Sequence, residues 1–134
     1  MAGRKTTLAP LLNVRSGARA VAFYKAAFGA EEIFVLDNEG GVVAHLSIAG
    51  AEFWLADESP EHQNPSPDTL SSGAAGGSTV RMILTVDDPD AVFARAVAAG
   101  ARVLWPVEDQ PYRWRVGRVV DPFGHHWEIG KPLR

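Results

Sequence analysis

The chain has 134 residues, of which 46% are hydrophobic and 22% are charged, a composition typical of one globular domain. Thirteen Lys and Arg against sixteen Asp and Glu give a net charge of −3, which offers no basic surface for nucleic acid or for an anionic membrane. The chain has no cysteine, so disulfides, thiolate metal sites and cysteine nucleophiles are excluded. No segment resembles a signal peptide or approaches transmembrane length, and we expect a soluble, cytoplasmic protein.

The first half of the chain, residues 7–57, predicts a strand, a helix and three further strands. The probable strand TLAPLLNV (7–14) precedes AVAFYKAAFGA (20–30), which is rich in Ala and spaces its bulky apolar residues at helical intervals. Gly29 suits the left-handed position after a helix, and Ser16 is a weaker candidate for the N-cap. Three apolar runs punctuated by glycine follow, which predicts a three-strand meander.

The second half, residues 79–130, repeats this order after a polar segment rich in Pro, Gly and Ser, residues 58–78, which predicts a linker. TVRMILTV (79–86) is a probable strand, and AVFARAVAAGA (91–101) is a probable helix that three apolar runs follow. The order of elements therefore predicts an α+β fold of two βαβββ modules.

The two predicted helices align with each other when Gly29 is placed on Gly100, a shift of 100 − 29 = 71 residues. Asp87 or Asp88, followed by Pro89, is a good start for the second helix. Ala-rich helices that end at glycine also recur by chance, so the alignment of the two helices alone is weak evidence for a repeat. The matching order of predicted strands around each helix strengthens that interpretation.

Both halves resemble the vicinal oxygen chelate superfamily, which includes glyoxalase I, bleomycin-resistance proteins and extradiol dioxygenases. The resemblance is carried by AVAFYKAAFGAEE, VDDPDAVFARAVAAGA and EDQPYRWRVGRVVDPFGHHWEI, and the last segment is similar to the PhnB-like branch. It implies one domain over residues 1–134, in which two βαβββ modules form a curled mixed sheet with a central cleft. It also implies a homodimer that completes or flanks this cleft.

Metal-using members of that superfamily carry four ligands on the cleft side of four strands. The resemblance places these positions at Ala9, Trp54, Arg81 and Glu128. Ala9 has no donor atom, the indole of Trp54 only donates, and Arg81 is a permanent cation, so Glu128 alone is a plausible ligand. Because a divalent ion needs several oxygen or imidazole ligands, we expect no metal and no cofactor.

The alternation of side chains along a strand tests which residues share the cleft face. It separates Arg81, Trp54 and Glu128 from the apolar faces of their strands, as the resemblance implies. We predict that Arg81 and Glu128 pair across the cleft floor, since a buried charge without a partner is costly. The alternative is that both are solvated strand residues without a joint role.

His45, Trp114 and Arg118 are further candidates for ligand binding. His45 faces away from the apolar row of its strand. Trp114 and Arg118 lie in PYRWRVGR, whose guanidinium and aromatic groups together can bind a ligand that joins a carboxylate or phosphate to an apolar group. An ordinary surface or core histidine and an exposed basic loop are the structural alternatives. A metal bound by His45, His126 and Glu128 also stays open, although it departs from the positions of the superfamily.

The segment DPFG, residues 121–124, suits a type I turn between two strands. His125, which follows it, is interpreted as a structural residue near the turn, because it points away from the face of His126.

Together these features predict a homodimer that binds a small organic molecule without a metal, and whether it is an enzyme stays open. One alternative is a metal-dependent lyase, isomerase or dioxygenase of the same fold with a changed ligand set. Another is an interaction module whose cleft is filled by its own side chains. The candidate ligand-binding residues are Trp54, Arg81, Glu128, His45, Trp114 and Arg118.

Overall fold

The computed structural model describes residues 6–58 and 80–134. Of the predicted linker, 58–78, all but Glu58 lies outside the described residues. The first module contains β1 (Leu11–Val14), α1 (Gly17–Phe28), β2 (Glu31–Asn38), β3 (Gly41–Ile48) and β4 (Ala51–Asp57). The second contains β5 (Arg81–Thr85), α2 (Pro89–Ala98), β6 (Arg102–Asp109), β7 (Trp114–Val120) and β8 (His126–Pro132). The predicted α+β fold of two βαβββ modules is thus confirmed.

Both helices begin and end with the signals read from the sequence. The side chains of Ser16 and Asp88 each accept a hydrogen bond from the backbone N–H three residues later, so each is an N-cap. Gly29 has a φ of 68° and donates its N–H to the last turn of α1, as expected for a left-handed helix end.

The strands form two four-stranded mixed sheets, in the order β1-β4-β3-β2 and β5-β8-β7-β6. In each sheet the first strand pairs in parallel with the fourth, and the other pairs are antiparallel. The first strand is shorter than the predicted 7–14, since it begins at Leu11. Pro10 precedes it and has no N–H to contribute to a ladder.

Each helix covers one face of its own sheet, and the helices contact each other. The buried residues of both modules form one core cluster, in which Tyr24 and Phe28 of α1 meet Trp127 of β8. The opposite face of each sheet is covered by no helix of the described residues, and we call it the open face. None of the helices in the described ranges is long and apolar enough to cross a membrane.

The DPFG segment forms the predicted turn, with the N–H of Gly124 donated to the carbonyl of Asp121 at 3.1 Å. The buried carboxylate of Asp121 also accepts hydrogen bonds from the Tyr24 hydroxyl at 2.5 Å and the Trp127 indole at 2.9 Å. His125 is buried, and its Nε2 lies 2.8 Å from the carbonyl oxygen of Asn13. The turn therefore connects the second module to α1 and β1 of the first.

Candidate functional site

The open face of each sheet carries one row of four side chains at equivalent places in the two modules. The strand register aligns four residues across the first sheet and four across the second. The module-one row is Leu11, Trp54, His45 and Phe34. The module-two row is Ile83, Glu128, Arg118 and Trp105. The first row is largely aromatic and apolar, whereas the second has charges at its centre.

Glu128 stands between two guanidinium groups on the open face of module two. Its Oε1 lies 3.6 Å from Nε of Arg81 and 3.4 Å from Nη2 of Arg118. The predicted proximity of Arg81 and Glu128 is therefore present, and Arg118 is a second cation beside the same oxygen. Arg81 is the most exposed of the three side chains, so water screens its contact with Glu128 more strongly than the contact of Arg118.

A cavity of about 240 Å³ lies over this part of the row. Arg118 forms part of its wall, and its guanidinium carbon lies 6.0 Å from the ring centre of Trp105. Arg118 Nε is buried and has no hydrogen-bond partner among the described residues, which is costly for a polar group. We call this cavity the module-two pocket; it is lined by Trp105, Gln110, Tyr112, Val116, Gly117, Arg118 and Glu128.

His126 lies beside this cluster, opposite Arg81 in the ladder between β5 and β8. Burial lowers the pKa of His126 below its ordinary value, and the positive charges of Arg118, Arg102 and Arg81 lower it further. A neutral imidazole is favoured because protonation would add another cation to a positive surface.

The open face of module one has a different character. The His45 and Trp54 rings stack with their centres 4.1 Å apart and their planes 8° apart, while His45 Nε2 lies 2.9 Å from Oε1 of Glu52. Phe34 approaches the Trp54 ring from the edge strand. These three rings form an aromatic cluster on the open face of module one.

The six residues predicted from the sequence thus fall into separate groups. Trp54 and His45 belong to the module-one row, and no hydrogen bond, ion pair or ring contact within the described ranges links them to Arg81, Arg118 or Glu128. Trp114 begins β7 and is absent from the lining of the module-two pocket.

Trp105 and Tyr112 are not among the site residues predicted from the sequence, yet both line the pocket. For Trp105 a signal existed, because the apolar strand ARVLW ends on this tryptophan. Side-chain alternation could not predict on which face of the sheet Trp105 lies, because β6 pairs irregularly and its register shifts on both sides of Trp105.

The residues at the superfamily's metal positions do not suit a divalent ion. Arg81 places a permanent cation beside Glu128, with its Nε 3.6 Å from Oε1 of the carboxylate. Within residues 6–58 and 80–134, no three His, Cys, Asp or Glu side chains gather as metal ligands would. His126 and Glu128 share the open face of β8, while His45 lies in the other sheet, so these three do not form a common site within the described chain.

Two tandem βαβββ modules, joined through one core and each with an open face, define a paired-module α+β protein. The chain belongs to the Glyoxalase/Bleomycin resistance protein/Dioxygenase superfamily, whose sequence profile matches residues 7–129. This confirms the resemblance recognised in the sequence.

Individual proteins support this assignment. The chain is 41% identical over 129 residues to protein Rv0887c of Mycobacterium tuberculosis, covering 95% of this chain and 75% of that protein. The X-ray structure of the At5g48480 gene product of Arabidopsis thaliana is 31% identical, with a TM-score of 0.74 over 96% of this chain and all of that one. The PhnB protein of Bacillus cereus is 20% identical, with a TM-score of 0.68 over 96% of this chain and 100% of that one, which shows a shared fold.

Proposed function

We propose that the chain is a small-molecule-binding protein, and that it binds its ligand in the module-two pocket without a metal ion. The observation that carries this proposal is the position of Arg118, Glu128 and Trp105 around one cavity on the open face of β6, β7 and β8. A concave site with apolar walls and a few convergent polar groups is the usual form of a ligand site.

The pocket combines the two components that such binding needs. Trp105 and Tyr112 are more than half exposed, and exposed aromatic rings offer apolar surface at a low entropic cost. Arg118 and Glu128 offer charged groups that can orient a ligand. A cavity of about 240 Å³ also argues against a module whose cleft is filled by its own side chains.

A homodimer is part of this proposal. Leu11 and Ile83, on the edge strands β1 and β5, are each more than half exposed on the open faces, and exposed apolar groups on an uncovered sheet face favour contact with a second copy. Light scattering should give twice the mass of one chain. Ile83→Glu should shift this mass towards one chain, whereas Leu8→Glu, at a fully exposed position, should not; a monomeric wild type would contradict the dimer.

The binding proposal is tested by a panel of chemically diverse organic compounds in a thermal-denaturation assay on tag-free protein. A ligand at about 100 times its Kd should stabilise the fold by about 2.7 kcal/mol. Trp105→Leu should abolish this stabilisation. The control is Phe34→Leu, which changes the aromatic residue at the equivalent place in the module-one row.

Two results would count against the proposal: no compound stabilises the protein saturably, or Trp105→Leu retains the full effect. Metal analysis of the same preparation addresses the alternative of a metal-dependent enzyme. Stoichiometric zinc, nickel, manganese or iron that is lost in Glu128→Gln would favour that alternative.

A further inference from the structure

An ion cluster with unequal numbers of positive and negative charges borders the module-two pocket. Arg118 and Glu128 line the pocket, and the guanidinium of Arg81 lies beside Glu128 without lining it. The charges of these three side chains sum to +1. The nitrogen–oxygen distances, 3.6 and 3.4 Å, exceed the ~2.7–2.9 Å of a well-formed charge-assisted hydrogen bond. Glu128 therefore holds neither cation tightly.

Arg118 has a buried donor that no group within the described residues uses. Nη2 is the atom that contacts Glu128, while Nε is buried without a hydrogen-bond partner among the described residues. A guanidinium carries five N–H groups in a planar fork that matches the two oxygens of a carboxylate. A small rotation of this fork towards an incoming carboxylate would satisfy donors that Glu128 does not reach.

The aromatic residues of the pocket indicate which kind of apolar group would carry the ligand's negative charge. Trp105 is 58% and Tyr112 63% exposed, and both line the same cavity as Arg118. A flat apolar ring can pack against these aromatic faces. The volume of about 240 Å³ is below the ~300–1,000 Å³ typical of pockets for drug-sized ligands, so a body of one or two rings fits.

The neighbouring histidine does not alter the charge balance at neutral pH. Burial and three arginines lower the pKa of His126, which favours the neutral imidazole above its ordinary range near pH 6.5. One negative charge therefore neutralises the cluster, whereas a phosphate monoester, with a charge of about −1.5 to −2, would exceed it.

We propose that the module-two pocket binds a small monoanion, a carboxylate attached to a flat apolar ring, with Arg118 holding the carboxylate and Trp105 contacting the ring. This inference rests on the proposed function, because it names the ligand class of the same pocket. Glu128 keeps the cluster at a single positive charge, so it favours monoanions over dianions.

Isothermal titration of the full chain with three probes that share one ring system tests the proposal. The probes are 2-naphthoate, its neutral amide 2-naphthamide, and 2-naphthyl phosphate. We expect saturable binding of 2-naphthoate, with the other two probes at least about tenfold weaker, a difference of about 1.4 kcal/mol.

Variants assign the effect to Arg118. Arg118→Met should weaken 2-naphthoate at least about tenfold and leave 2-naphthamide unchanged, while Arg118→Lys, which keeps the charge but loses the fork, should fall between Arg118→Met and the wild type. Arg19→Met removes the same charge from an exposed position on α1, and it should bind all three probes as the wild type does.

Equal binding of the amide and the acid, tighter binding of the phosphate, or unchanged binding of 2-naphthoate in both Arg118 variants would overturn the assignment. If no probe binds but the diverse panel yields ligands that depend on Trp105, the ligand class is wrong and the site stands. If that panel also yields none, the proposed function fails together with this inference.

Discussion

Replacement of Tyr24 by Phe removes one hydrogen bond from the buried carboxylate of Asp121 and changes little else. The hydroxyl of Tyr24 donates to Oδ2 of Asp121 at 2.5 Å, and both residues are buried. Burial, followed by the negative charge of Asp121, raises the pKa of Tyr24 well above its ordinary value, so the hydroxyl stays protonated and donates. The variant leaves the carboxylate with three donors, which are the indole of Trp127 and the backbone N–H groups of Phe123 and His125.

A hydrogen bond to a charged group contributes about 1.5–3 kcal/mol, so Tyr24→Phe should lower the free energy of unfolding by that amount. For a chain of this size the loss corresponds to a fall in Tm of about 5–12 °C. Asp121→Asn should cost about 3–5 kcal/mol, because the negative charge is lost and the amide N–H₂ would face the indole N–H of Trp127, which can only donate.

Urea denaturation of both variants and of the double variant measures these energies. The double variant should lose less than the sum of the single losses, because both remove the same hydrogen bond. Tyr112→Phe is the matched control, since its exposed ring predicts a change below about 0.5 kcal/mol. The reasoning is refuted if Tyr24→Phe is as stable as the control, or if the two single losses add.

Three further changes test other parts of the structure. Gly117→Ala should destabilise the protein by about 1–3 kcal/mol in urea, because the new Cβ would lie 2.8 Å from the ring of Phe93; a neutral effect would mean that α2 packs less closely on β7. The lowered pKa of His126 means that the unfolded chain binds a proton before the folded chain does as the pH falls, so the wild type should lose stability between about pH 6.5 and 5. His126→Gln should reduce this loss, and an unchanged dependence of the free energy of unfolding on pH would count against the reasoning. Arg95→Met should cost about 0.5–1.5 kcal/mol in thermal melts, because Nε donates to the carbonyl of Ala26 at 2.7 Å at the end of α1; wild-type stability would show that this contact between the helices is dispensable.

The sequence predicted the fold because its signals are local. Glycine at a helix end, such as Gly29, and two-residue alternation, as in Trp127 and Ile129 against Glu128, depend on neighbouring positions in the chain. The structure confirms both signals: Gly29 has a positive φ, Trp127 and Ile129 are buried, and Glu128 is on the open face.

The site was harder to predict, because it depends on register between distant strands. Arg118 and Trp105 are 13 positions apart and meet because β6 is irregular on both sides of Trp105, which no periodic pattern indicates. Asp121 was interpreted as a turn former alone. Its hydrogen bond to Tyr24, which is 97 residues away, arises from the packing of one module on the other.

The central claim is that the module-two pocket binds a small organic anion, and NMR of ¹⁵N-labelled protein tests it most directly. Titration with 2-naphthoate should shift the indole resonance of Trp105 and the side-chain Nε resonance of Arg118 saturably, with one common Kd. The indole of Trp127, buried in the core, should not follow them. Saturable shifts at Trp54 with Trp105 and Arg118 unchanged would place the ligand on the other sheet and contradict the account.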